Sequence, residues 1–77
     1  MGLTISRRFD TLGGWAATHW VSGTGLHAVS VRQKVENDQW YVAQGYGEKA
    51  VVLSGPHASV AAAVMLLAMG VIGLEER

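Results

Sequence analysis

The chain has no cysteine, a single proline, and no net charge: six Lys and Arg are matched by six Asp and Glu over 77 residues. Each absence removes something. Without cysteine there is neither a disulfide staple nor a thiolate metal site, and the composition fits a reducing compartment, so a cytoplasmic location is expected. Without a basic excess, the usual electrostatic signature of a nucleic-acid binder is missing, because phosphate contacts supply most of that affinity. No apolar core precedes a cleavage site near the start. Arg7 and Arg8 follow the short apolar stretch instead of preceding one, so a secretory signal is not expected. A long hydrophobic run is also lacking. Ala58 to Leu74 carries no charge but is rich in Ala and Gly and sits at the short end of the spanning range. A buried helix with no membrane association is the expectation.

What is present is an apolar fraction of 49%, enough for a folded core and too much for disorder. The length predicts one domain over residues 1–77. A core this small supplies only ~3–5 kcal/mol of net stability, so without staples the chain must pack well or associate.

Alternation dominates the first two-thirds. Leu3, Ile5 and Phe9 alternate with Thr4, Ser6 and Arg8, which predicts a strand. Gly13-Gly14 breaks it, and Trp15–Ser22, rich in aromatic and β-branched residues, predicts a second. After a turn at Gly23-Thr24-Gly25 comes a third, Leu26–Val35, with Val29, Val31 and Val35 on one face and Ser30, Arg32 and Lys34 on the other. A turn at Glu36-Asn37-Asp38 leads to Trp40–Gln44, and one at Gly45–Glu48 leads to a short strand, Ala50–Leu53. Ser54-Gly55-Pro56 is expected to end the strands. A helix then begins near Ser59 as N-cap and stops near Gly70. The fold class is therefore α+β: an antiparallel sheet of four to five strands packed by one C-terminal helix.

That helix carries the functional argument. At 100° per residue, Val60, Val64, Leu67 and Val71 share one stripe suited to docking on a sheet. The opposite side holds Met65, Leu66, Met69 and Ile72, where a solvated helix would carry charge. One small sheet does not cover both sides, so the second is expected to meet protein: a partner, or another copy in a homodimer. Trp15 and Trp20 have opposite parity in one strand, which predicts that they face opposite ways and leaves one exposed. Trp20 joins Met65, Leu66, Met69 and Ile72 as the candidate partner-binding set, since Trp buries a large area at low entropic cost.

Residues suited to chemistry are sparse. Gly45-x-Gly47-x-x-Ala50 precedes a strand-like Val51-Val52-Leu53, whereas a dinucleotide fingerprint must open a helix. His19, His27 and His57 have no second ligand at a recognised spacing, and no G-x-S-x-G elbow occurs. No enzyme activity, catalytic residue, metal or cofactor is expected. The alternative to protein binding is a sheet-based DNA or RNA surface made by Arg7, Arg8, Arg32 and Lys34 with Trp15, Trp20 and Tyr41.

In size and architecture the chain resembles short phage-encoded inhibitors, anti-CRISPR proteins among them. The resemblance implies a non-enzymatic protein that blocks a host complex by occupying its surface.

Overall fold

The structure, a computed structural model, describes residues 4–9, 14–23 and 25–74, with the side chains of 4, 6–9 and 48 outside the description. Five strands follow in chain order: β1 (Thr4–Phe9), β2 (Trp15–Ser22), β3 (Val29–Lys34), β4 (Trp40–Gln44) and β5 (Val51–His57). All pair antiparallel in the order β1-β2-β3-β4-β5, so each strand lies beside its neighbour in sequence. A helix, α1 (Val60–Ala68), closes the chain and packs over β3, β4 and β5.

The two-residue period of a strand places the core. Val29 is paired with Val21, and Val31 with both His19 and Val42, so these apolar side chains rise from one face of the sheet. There Val21, Val29, Val31 and Val42 meet Ala63 and Leu67 of α1, all buried. Leu26, Trp40, Val60, Val64, Ile72 and Leu74 pack around them. The predicted docking stripe holds for Val60, Val64 and Leu67. Val71 leaves it and is exposed, because the helix ends first.

Both helix ends are set by local chemistry. Ser59 is extended, and its Oγ accepts from the Ala62 N–H at 3.1 Å, satisfying one of the orphan donors of the first turn. At the other end Gly70 has φ of 72°; its N–H bonds to the Leu67 carbonyl and the Val71 N–H to the Leu66 carbonyl. That pair of reversed bonds is a Schellman cap, and its left-handed residue is the glycine that the sequence offered as a stop.

Three boundaries differ from the sequence reading. β3 begins at Val29, because Leu26–Ala28 turn the chain, with Ala28 at φ of 53°. Val35 falls in the β3–β4 turn and is exposed. β5 runs on to His57 instead of ending at Leu53. It is an edge strand, where the missing N–H of Pro56 costs no ladder bond, and its pairing with β4 skips a residue twice, between Ala43↔Val52 and Val42↔Ser54 and again between Val42↔Ser54 and Trp40↔His57.

The larger correction concerns Trp15 and Trp20. The pairing slips between Trp15↔Lys34 and Ala17↔Gln33, so two steps along β2 match one along β3. This bulge reverses the parity of everything before it. Trp15 and Trp20 consequently lie on the same face, both rings against the Arg32 guanidinium.

Candidate functional site

Side chains that alternate with the valines turn away from α1 and build a second, aromatic layer. Arg32 stands in its middle, between Ser30 and Lys34 along β3. Its Nε donates to Ser30 Oγ at 3.0 Å, Nη1 to the Gly47 carbonyl at 3.0 Å, and Nη2 to the Gly45 carbonyl at 3.4 Å. The Trp20 and Trp15 rings lie 5.7 Å and 5.9 Å from its ζ-carbon. A guanidinium only 3% exposed is tolerated because its fork of donors is met and aromatic faces attract its charge. Lys34 Nζ likewise lies 5.2 Å from the Tyr41 ring and 5.8 Å from Trp15. The rings also meet each other. Trp15 stands edge-on to Tyr41 at 5.9 Å, and Trp20 is tilted on Tyr46 at 5.4 Å. Asn37 Nδ2 donates to the Tyr41 hydroxyl at 2.9 Å, which ties this layer to the β3–β4 turn.

Of the nucleic-acid candidates, Arg32 and Lys34 therefore do lie together with Trp15, Trp20 and Tyr41. Both cations are occupied within the layer, Arg32 by carbonyls and Lys34 by rings. Arg7 and Arg8 are held in β1 opposite His19 and Thr18, with side chains outside the described residues. Tyr46, exposed and packed on Trp20, was not singled out from the sequence. The signal was an aromatic residue between Gly45 and Gly47, in a turn that would otherwise be polar.

The protein-binding candidates divide. Met65 on α1 and Met69 at its C-cap are 62% and 64% exposed, beside exposed Ala61, Ala62 and Ala68. Leu66 is half-buried. Ile72 lies beyond the helix and packs against the core, so it does not join the methionines. Trp20 sits in the aromatic layer on the other face of the sheet. On β5, Val51 and Val52 are also exposed, and as successive strand residues they point to opposite faces of the sheet. No charged residue occurs between Lys49 and Glu75, so edge strand, connection and helix form one uncharged segment.

Two smaller features remain on the surface. A cleft of ≈ 250 Å³ opens where the β2–β3 and β4–β5 connections meet, lined by His27, Gln44, Tyr46, Lys49 and Val51. The Gln44 Nε2 donates to the His27 carbonyl at 2.9 Å and the Gly45 N–H to the Ala28 carbonyl at 2.8 Å, which fixes its walls. It is smaller than the ~300–1,000 Å³ of ordinary ligand sites. On β5, Ser54 Oγ lies 2.8 Å from His57 Nε2. Nucleophile activation also needs a group to orient the base and donors for an oxyanion. Among the described residues no carboxylate bonds this histidine, and no three His, Asp or Glu converge as a metal site. Among them, too, no helix is long and apolar enough to cross a membrane.

Comparison with family models, with curated proteins and with solved structures returns no match for this chain.

Proposed function

We propose that this chain is a non-enzymatic protein-binding module that acts by occupying a partner surface through the outer side of α1. The observation that carries the reading is the exposure of Met65 and of the C-cap Met69 on a helix without a single charged residue. A solvated helix face normally carries charge, and large apolar side chains left bare mark interaction sites. Methionine suits such a surface, because its flexible thioether chain adapts to the shape it meets. Action by occupancy, as in the small inhibitors that the chain resembles in size, requires nothing more than this surface.

A photo-crosslinking amino acid at position 69, with a control at position 37 in the β3–β4 turn, tests the reading. The expected result is a discrete protein adduct from position 69 that is lost when Met65 is changed to Lys and is absent from position 37. A folded protein that yields no adduct from position 69 overturns it.

The aromatic layer favours a second reading, single-stranded DNA or RNA stacked on Trp15, Trp20, Tyr41 and Tyr46, since aromatic platforms bind bases with little regard to sequence. It is the weaker of the two, because Arg32 is buried and the rings already pack on one another. Its test is quenching of Trp fluorescence by a mixed-sequence single strand, with affinity that falls as salt rises.

A further inference from the structure

We infer that the cleft between the β2–β3 and β4–β5 connections is a binding site for a small aromatic carboxylate. The inference does not depend on the α1 surface.

The walls of the cleft are fixed in advance. Gln44 lines it with a side chain only 8% exposed, whose amide donates to the His27 carbonyl at 2.9 Å. The Gly45 N–H reaches the Ala28 carbonyl at 2.8 Å, so the two connections are tied at two points. Arg32, also buried, grips the second connection through the carbonyls of Gly45 and Gly47. Two buried polar side chains are thus committed to holding turns in place. The backbone is committed as well. Ala28, in the lining, has φ of 53°, a left-handed conformation that residues with a Cβ seldom adopt, and strain of this kind gathers at ligand sites. Gly45 has φ of 115°, and a Cβ there would press within 3.1 Å of the Ala50 backbone, so glycine lets the chain close up at this wall. A site that is already formed spares the ligand the cost of ordering it.

The lining then selects the ligand. Lys49 supplies one positive charge, and His27 and Gln44 supply polar groups able to bond oxygen. Among the described residues no acidic side chain lines the cleft. One cation matches one carboxylate, whereas a phosphate dianion calls for more donors. Tyr46 offers an exposed ring, backed by Trp20 at 5.4 Å, and Ala28 and Val51 add apolar surface. A flat ring carrying the carboxylate uses both halves of this lining. At ≈ 250 Å³ the space suits one ring with one charged group and lies below the range of larger ligands.

Amide NMR titration of the full chain with benzoate, benzylamine and inorganic phosphate tests the inference. Benzoate is expected to shift the Ala28 and Gly45 amides saturably, with benzylamine leaving them in place and phosphate binding more weakly than benzoate. Lys49→Ala should weaken benzoate about tenfold, the worth of one charge-assisted hydrogen bond, and Lys49→Arg should restore it. Lys49 is exposed, so the rest of the spectrum should stay unchanged in both variants. The comparison of benzoate with benzylamine on the wild type needs no variant at all. Absence of saturable shifts with benzoate, an equal response to benzylamine, or benzoate binding indifferent to Lys49→Ala overturns the inference. Phosphate binding tighter than benzoate overturns the carboxylate assignment.

Discussion

At Gly55 the backbone has φ of 139°, and a Cβ built there would overlap Cδ2 of Tyr41 and come within 3.1 Å of the Trp40 carbonyl oxygen. Tyr41 has little room to yield, since Trp15 stands against its ring and Asn37 holds its hydroxyl. Gly55→Ala is expected to lower stability by ~1–3 kcal/mol through backbone strain and the displaced ring. A drop in the urea midpoint with unchanged slope is the signature; an unchanged midpoint refutes the close contact. Thr18 presents the opposite case. Its side chain is 2% exposed beneath the aromatic layer, and Oγ1 has no hydrogen-bond partner among the described residues. An unmade bond of this kind costs ~1–3 kcal/mol, so the near-isosteric Thr18→Val is expected to raise stability by about 1 kcal/mol in thermal melts. A fall would show that the hydroxyl is bonded in solution.

Among the elements, α1 depends most on its ends. Nine residues are too few for a helix to persist alone, and neither its first turn nor its last holds a charge that would favour the helix dipole. Ser59→Ala and Gly70→Ala should each cost ~1 kcal/mol and, being at opposite ends, should add in the double variant. Hydrogen exchange at the Ala62 amide checks the first and denaturant melts check the sum. These caps were legible because their chemistry is local: Ser before an apolar run, Gly after it. The order of the strands was legible for the same reason, since turn residues separate alternating segments. The bulge in β2 was not. Trp15-Ala16-Ala17-Thr18 contains nothing that marks an extra residue, so strict alternation sent the two tryptophans to opposite faces. The length of β5 was hidden differently: Gly55-Pro56 reads locally as a stop, and only the unpaired edge on which it lies allows the strand to continue past it. Ile72 was misplaced because a helical period was carried past Gly70, where the helix has already ended.

For the molecule as a whole, charge is as informative as shape. Formal charge is zero at pH 7, and the sequence isoelectric point is ≈ 6.8. Exposed Met65, Met69, Val51 and Val52 therefore lack a net repulsion to keep copies apart near neutrality. Static light scattering is expected to show the strongest attraction near pH 6.8, with relief on either side. Met65→Lys with Met69→Lys should move the minimum to higher pH; an attraction independent of pH would mean that charge plays no part in it. The α+β architecture and the apolar character of α1 were readable from composition and period alone. Which side of α1 the solvent reaches, and that β5 lies beside it at the rim of the sheet, depended on how five hairpin-linked strands arrange themselves in three dimensions.

Every strand of the sheet lies beside its neighbour in sequence, so none has to wait for a remote part of the chain before it can pair. The helix is different: it rests on β3, β4 and β5 together and is too short to persist by itself. Assembly is therefore expected to run hairpin by hairpin with α1 settling last, and pulsed hydrogen exchange should protect the amides of β3 and β4 before those of Ala63 to Leu67; simultaneous protection overturns that order.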